Sequence, residues 1–480
     1  MATQTVQALD HELLAAGEWA KTSEWDEVLS PYDGTPIGRV PRGDAALVDR
    51  ATRAAQEAFE AGFPQHERAA VLDRAAELVR ERREDLALTI AAEAGKPLKT
   101  ARLEAERCVD TLTFSAVEAR KLSGGTVPME ASAAGAGKLG VMLRVPYGVV
   151  GAISPFNFPL NLVAHKLGPA IAAGNAVVLK PAGQTPISAL KLARVLVEAG
   201  LPEGWLSVIP GPGSEVGNAI VEHELTRALT FTGSSKVGWG IRSRVPHKKV
   251  NLELGSNAPL IVHADGDWET AADKAKLHAF SHAGQSCISI QRVLVHEDVA
   301  DGFVERLVAN AETLRVGDPL NPDTDVGPLI SPDDRDRVKQ WVDEAVSGGA
   351  ELLTGGELVD GGRCLAPTVL GSPPREAKVW REEIFGPVAT IDRYRDFGEA
   401  LRMANDSKFG LQAGVFTRDV GRGLEAASAL EFGGVLINEV PTFRADQMPY
   451  GGVKDSGNTR EGPAYAVIEL TEERFVTLQG

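Results

Sequence analysis

The chain has 480 residues, more than one hydrophobic core usually serves, and its 43% hydrophobic and 24% charged residues fit a globular protein of two or three domains. A formal charge of −16 sets long-range repulsion against polyanions, so nucleic acid and acidic membrane surfaces are poor partners. Cys108, Cys287 and Cys364 are too few and too scattered for a disulfide framework or a thiolate-rich zinc site, which points to a reducing, cytoplasmic setting.

The N-terminus, Met1 to Asp10, lacks the basic segment and apolar core of a secretory signal. From about Asp44 to Lys121 the chain is rich in Ala, Glu, Arg and Leu. Apolar residues at helical spacing, such as Leu72, Ala75, Ala76 and Val79, predict long amphipathic helices. Ala131 to Gly140 is rich in small residues and reads as a loop. The stretch Val145 to His165 carries no Lys, Arg, Asp or Glu, but Pro146, Pro155 and Pro159 break it as a bilayer span.

From Val149 the texture alternates. Strands are expected at Val149 to Ser154, Ala176 to Lys180, Leu206 to Pro210, Ala228 to Thr232 and Lys249 to Leu254. Helices are expected at Asn161 to Ala173, Pro186 to Ala199, Glu215 to His223 and Ser235 to Arg244. Thr185 reads as the N-cap of the helix at Pro186, with Gly200 and Pro202 past its end. Repeated strand-helix units predict a parallel sheet covered on both faces, as in a dinucleotide fold. A second α/β region follows from about residue 256, with strands near Leu260, Val293, Val388, Gly414 and Val435 and helices at Val299 to Leu314 and Asp334 to Gly348. The strand-like Arg474 to Leu478 could join another subunit's sheet.

Gly135-Ala136-Gly137-Lys138-Leu139-Gly140 satisfies the dinucleotide pattern literally, but no strand precedes it and no helix follows, so it reads as a false match. Phe231-Thr232-Gly233-Ser234 is the better phosphate site, because free amides at a helix N-terminus suit a pyrophosphate. An ordinary tight turn is its plain alternative. The run Lys180-Pro181-Ala182-Gly183 sits at a strand end, where open α/β sheets bind ligands, against the alternative of a solvated lysine at Lys180. Asn157, in Ser154-Pro155-Phe156-Asn157-Phe158-Pro159, could donate to an oxyanion or simply form a turn.

Cys287 follows Gly284-Gln285-Ser286, a small polar approach that favours a nucleophile over a buried hydrophobe. Glu253 sits among Val250, Leu252 and Leu254, so it needs a partner or acts as a perturbed base. A thiolate that attacks a carbonyl, and a carboxylate that activates water against the resulting thioester, together suggest covalent aldehyde oxidation. His282 does not share a helix face with Cys287, which disfavours a thiol hydrolase. His278 and His282 lack a third ligand and read as structural, so no metal is expected.

These runs, with Glu382-Glu383-Ile384-Phe385-Gly386-Pro387 and Pro449-Tyr450-Gly451-Gly452-Val453-Lys454-Asp455-Ser456-Gly457, resemble the aldehyde dehydrogenase superfamily over nearly the whole chain. The resemblance implies an α/β protein with a Rossmann-like cofactor domain (1–123 and 146–255), an α/β catalytic domain (256–460) and a small β flap for oligomerisation (124–145 and 461–480). It implies a homodimer or homotetramer. It assigns Cys287 as nucleophile, Glu253 as deacylation base, Asn157 as oxyanion donor and Lys166 to a proton relay behind Glu253. Ser154, Pro155, Phe156, Lys180, Gly183, Gly233, Ser234, Leu254, Glu383 and Phe385 would hold the cofactor, NAD+ or NADP+. Phe158, Leu162, His165, Ile288, Arg444 and Tyr450 would line the substrate passage, and Val440-Pro441-Thr442-Phe443-Arg444 resembles the lactaldehyde and semialdehyde branch.

One departure concerns the cofactor. Gly183 stands where NAD-preferring relatives often carry Glu, so repulsion toward a 2′-phosphate is lost and NADP is expected to be tolerated or preferred. Arg444 could meet a substrate carboxylate, or be a solvated loop arginine. The alternative within the superfamily is a CoA-acylating semialdehyde dehydrogenase, against which Glu253 argues. A cofactor-binding scaffold without turnover would need none of the thiol, base and oxyanion amide.

Overall fold

Runs of Val, Ile, Leu and Ala with no polar alternation can only be buried on both faces. In the computed structural model, which describes residues 8–479, they build two seven-stranded sheets. The first is ordered Lys249–Glu253, Thr226–Thr232, Val149–Ile153, Ala176–Lys180, Leu206–Val208, Leu13–Ala15, Glu18–Ala20. The first five of these run parallel and the last two are antiparallel additions. Met1 to Gln7 and Gly480 lie outside the described residues, and with them part of the N-terminal reading and the outer ends of two expected domain segments.

The helix Asn161–Ala173 is buried along its entire length, sandwiched between this sheet and the helices Gln65–Glu81 and Leu98–Lys121. Helix Asn161–Ala173, strand Ala176–Lys180 and helix Ser235–Arg244 have the bounds expected from sequence. The helix expected from Glu215 begins instead as a wide turn over Gly213–Gly217 and becomes α-helical at Asn218–Glu222.

Thr185 is the N-cap residue as expected, with Pro186 opening the helix. Its side chain makes no capping bond, and the Thr185 hydroxyl faces the Phe156 carbonyl at 3.4 Å. The free amides of Ile187 and Ser188 are taken by the two oxygens of Glu93, both at 2.9 Å, from a different helix. A buried carboxylate replaces a local hydroxyl because the helix start is itself buried and must satisfy more than one donor.

Chain order reverses between Val149–Ile153 and Thr226–Thr232, which are neighbours in the sheet although two strands separate them in sequence. The carboxyl ends of these strands flank the crevice where open α/β sheets take their ligands. The second sheet, ordered Glu351–Thr354, Thr368–Gly371, Val388–Tyr394, Arg292–His296, Pro259–Val262, Gln412–Phe416, Gly434–Ile437, is parallel apart from its first strand. Its core is separate from the first.

A third sheet joins Gly125–Val127, Lys138–Pro146 and Thr471–Gln479. One correction follows. The expected loop at Ala131 to Gly140 is two tight turns followed by a strand from Lys138, and that strand takes up the last residues of the glycine pattern. The terminal strand pairs antiparallel with Lys138–Pro146 of its own chain, Phe475 opposite Met142, and forms the edge of this sheet. Among the described residues no helix is long and apolar enough to cross a membrane.

Glu93→Ala leaves two buried amides without acceptors. It should cost about 2 kcal/mol or more, read as a lowered thermal or denaturant midpoint.

Candidate functional site

Glu253 ends the last strand of the first sheet, and the chain then crosses to the second. Cys287 lies before strand Arg292–His296, at the amino edge of that second sheet. The site therefore lies where the carboxyl edge of one sheet faces the amino edge of the other. The turn leading to the thiol is strained: His282 and Ala283 both adopt φ 52°, left-handed values that non-glycine residues rarely take. Gly284 is required there, since a Cβ would stand 2.0 Å from the Gly386 carbonyl oxygen. Gln285 braces the turn, donating to the His282 carbonyl at 3.1 Å and accepting from the Ile330 amide at 2.9 Å.

Asn157 is brought to this loop, its Nδ2 donating to the Gln285 carbonyl at 3.0 Å while its Oδ1 is buried without a partner. One of its two amide hydrogens thus fixes the side chain, and the other is left for a ligand. The half-buried Cys287 Sγ lies 2.8 Å from the Tyr450 hydroxyl, among Ile288 and Leu411. Burial pushes the thiol up to about 12, with the Tyr450 hydrogen bond opposing and the nearby Glu253 adding to the rise.

Glu253 is buried, and its Oε1 has no hydrogen-bond partner. Gly451 lets it in, because a Cβ there would come within 2.7 Å of that oxygen. Burial first, then the charge of Glu461, hold the Glu253 carboxyl well above the usual carboxylate range. Glu461 goes the other way: burial opposes its charge, but Lys166 and Arg444 overcome that and bring it to about 2. Arg444 Nη2 donates to Glu461 at 2.9 Å, and Lys166 Nζ stands 3.6 Å from the same carboxylate. Lys166 Nζ also donates to Thr232 at 2.6 Å, which places it behind the strand ends that carry Glu253.

Arg444 as a solvated loop arginine is corrected: its side chain is 6% exposed, with the guanidinium 3.8 Å from the Tyr450 ring centroid and Nε buried without a partner. An unpaired arginine would not be taken so far from water, and Glu461 makes the burial tolerable. His165 Nε2 faces Asp446 at 2.9 Å, and Asp446 also takes a two-pronged contact from Arg107. Leu162 lies one helical turn earlier, 6% exposed.

Phe158 lies under the Lys96 ammonium, 3.6 Å from the ring centroid. Lys96 and Glu104 form a fully buried ion pair, and the other Glu104 oxygen accepts the amides of Leu160 and Asn161 at 2.9 and 3.1 Å. This pair anchors both the Asn157–Phe158 loop and the start of the helix that carries Leu162, His165 and Lys166. Sequence reasoning did not single out Lys96, Glu104, Arg107, Asp446 or Glu461. A clue existed at Lys96, a lysine between a glycine and a proline at a helix boundary; nothing local marks Glu461.

At the crevice of the first sheet, Ser154, Pro155 and Phe156 follow one strand and Gly233 and Ser234 follow its neighbour. Ser154 Oγ is buried without a partner, and Ser234 heads the helix Ser235–Arg244. Gly233 is needed because a Cβ would meet the Phe231 ring at 2.7 Å. Lys180 is corrected as a solvated lysine: it is 7% exposed, donates to the Pro181 carbonyl at 2.8 Å, and burial brings it down to about 8. A Cβ on Gly183 would meet nothing within 4 Å, so that side of the crevice is open.

Glu383 accepts from the Ser256 amide at 3.0 Å, and burial pushes it up to about 7. Gly255 permits this, since a Cβ would sit 2.1 Å from the carboxylate. Leu254 is buried, its amide tied to the Ser456 carbonyl at 3.0 Å. Phe385 has φ 50° and meets Phe156 edge-on at 5.8 Å. The orphaned Ser154 hydroxyl, the helix N-terminus, the buried lysine and the open flank at Gly183 fit a dinucleotide across the crevice. Among the described residues no group of His, Cys, Asp or Glu is arranged to hold a metal ion.

A model of the aldehyde dehydrogenase family matches residues 19–476. The chain is 45% identical over 476 residues to the 3-sulfolactaldehyde dehydrogenase of Priestia aryabhattai, covering 99% of both. Its fold matches aldehyde dehydrogenase 21 of Physcomitrella patens, solved with the reaction product succinate, at TM-score 0.95 and 38% identity, covering 99% of both chains. It matches glyceraldehyde-3-phosphate dehydrogenase GapN of Methanocaldococcus jannaschii, solved with NADP, at TM-score 0.91 and 38% identity, covering 96% of this chain and 100% of that one.

Proposed function

Since the chain belongs to the aldehyde dehydrogenase family, whose members oxidise aldehydes with NAD(P)+, we propose that Cys287 is the nucleophile of that reaction, Glu253 its deacylation base and Asn157 its oxyanion donor. The observation that carries this reading is the meeting of these three groups at one junction between sheets: a half-buried thiol, a buried carboxylate with a free oxygen and a fixed amide with a free hydrogen.

The Cys287 sulfur attacks the aldehyde carbon, forming a C–S bond while the carbonyl oxygen takes up negative charge that the free Asn157 hydrogen stabilises. A bound nicotinamide supplies the hydride acceptor. The acyl group is then a thioester on Cys287, and Glu253 as carboxylate takes a proton from the water that attacks it. Lys166 and Glu461 lie behind Glu253 as a charged reserve through which that proton can be relayed. Retention of this buried base disfavours the acyl-CoA-forming alternative.

The first sheet with its covering helices, 1–123 and 146–255, is the cofactor domain in this reading, 256–460 the catalytic domain, and 124–145 with 461–480 the flap of a cytoplasmic homodimer or homotetramer. Lys180 binds the adenosine ribose, Gly233 and Ser234 the pyrophosphate and Glu383 the nicotinamide ribose, with Ser154, Pro155, Phe156, Leu254 and Phe385 as walls. Phe158, Leu162, His165, Ile288, Arg444 and Tyr450 form the substrate passage. The Priestia relative acts on a sulfonate-bearing aldehyde, the Physcomitrella enzyme holds succinate, and the Methanocaldococcus enzyme is named for a phosphorylated aldehyde. The buried, unpaired Arg444 Nε supports a role for this side chain in meeting such an anionic tail. The substrate class is therefore a short aldehyde with a negative group at its far end.

Absorbance of reduced nicotinamide should appear with such an aldehyde and vanish in Cys287→Ser; persistent turnover in that variant overturns the assignment. The thiol must lose a proton and Glu253 must be ionised, and both groups are held above their ordinary values. Activity should therefore fall as pH drops through neutrality and rise into the alkaline range, measured as kcat/KM against pH. With Gly183 leaving the flank open, kcat/KM should be higher with NADP than with NAD; comparable or better values with NAD refute that preference. Arg444→Ala should reduce the ratio of anionic to neutral aldehyde turnover by about tenfold or more, the worth of one hydrogen bond to a charged group. An unchanged ratio excludes the anchor.

A further inference from the structure

The wall around the Cys287 sulfur is apolar at Ile288 and Leu411 and polar at Tyr450, whose hydroxyl stands 2.8 Å from Sγ. Tyr450 is 2% exposed and fixed by reciprocal backbone bonds with Glu461: its amide donates to the Glu461 carbonyl at 3.1 Å, and the Glu461 amide donates back at 2.6 Å. The Glu461 side chain holds Arg444, and the Arg444 guanidinium lies 3.8 Å from the Tyr450 ring centroid. Phenol, guanidinium and carboxylate thus form one unit that presents a single hydroxyl to the thiol.

A phenol hydroxyl accepts from a thiol and donates to a thiolate, and its bond to the charged form is about twice as strong as a neutral one. We propose that Tyr450 is a catalytic residue whose hydroxyl donates to the Cys287 thiolate and sets the fraction of nucleophile that is ionised, with Arg444 as a positioning residue that fixes the ring and sharpens the donor. The inference rests on the reading of Cys287 as nucleophile. Burial and the charges of Glu253 and Glu383 disfavour a charged sulfur; the Tyr450 hydrogen bond is the largest influence that favours it, with the Arg444 charge adding to it. A cation on the ring face draws electron density from the phenol and makes its hydrogen a better donor.

The test is the rate of Cys287 alkylation by iodoacetamide against pH, with the modified peptide assigned by mass spectrometry and neither aldehyde nor nicotinamide present. Tyr450→Phe removes one oxygen from a buried ring. It should move the midpoint of the profile to higher pH and lower the rate at neutral pH by about tenfold, as expected for losing a hydrogen bond to a charged group. Replacing Tyr450 with 3-fluorotyrosine, a more acidic phenol of nearly the same size, should move the midpoint to lower pH. Coincident profiles for the native and Tyr450→Phe proteins overturn the proposal. If Tyr450→Phe does not fold, the fluorinated protein decides, and an unmoved midpoint overturns it. Failure of aldehyde oxidation would count against the catalytic reading of Cys287, whereas coincident alkylation profiles count against Tyr450 alone.

Discussion

Two carboxylates and two cations share one water-poor compartment: Glu253 and Glu461 with Lys166 and Arg444. At low dielectric the two acids cannot both carry charge at ordinary cost, so the one in contact with the cations is held below the usual carboxylate range and the other above it. Glu461 wins because Arg444 donates to it directly and Lys166 lies beside it, while Glu253 Oε1 has no partner. The consequence spreads outward. A charged Glu461 holds Arg444, Arg444 covers Tyr450, and Tyr450 meets the sulfur, while Glu253 is biased toward its protonated form.

The loop that brings this charge is itself built into the first sheet. Glu253 forms a bridge with Gly457, Leu254 bonds the Ser456 carbonyl, and the Asn458 side chain accepts from Leu252 at 2.8 Å. Residues near the end of the chain thereby close over a strand formed two hundred positions earlier. On the other side, the left-handed turn at His282 and Ala283 passes so close to Gly386 that Gly284 can carry no side chain. Strain of that kind persists only where the surroundings over-determine it, and here Gln285 and the Glu383–Pro387 segment do so. The same contact couples the thiol to the segment that carries Glu383 and Phe385.

Much of the first sheet was legible, because strands buried on both faces must be unbroken apolar runs and the helices between them carry their own punctuation. The three-residue strands Leu13–Ala15 and Glu18–Ala20 escaped notice, since their length holds no periodicity and only the sheet edge they join gives them a reason to extend. Thr185 marked the helix start correctly, but not what satisfies it: a local capping hydroxyl is the usual solution at an exposed start, whereas this start is buried and Glu93 arrives from elsewhere. Arg444 misled because loop arginines are normally solvated, and its partner Glu461 has no local signature.

The sequence by itself determined which reactive groups exist and in what order. Covalent identity alone supplies a thiol at Cys287, a carboxylate at Glu253, an amide at Asn157 and a lysine at Lys180, and the apolar runs around them require an α/β fold. What only the tertiary structure decided is the state of those groups. Protonation depends on burial and on which charges end up within a few ångströms, and Lys96 with Glu104, Lys166 with Glu461, and Cys287 with Tyr450 meet only when the sheets pack and the last loop closes.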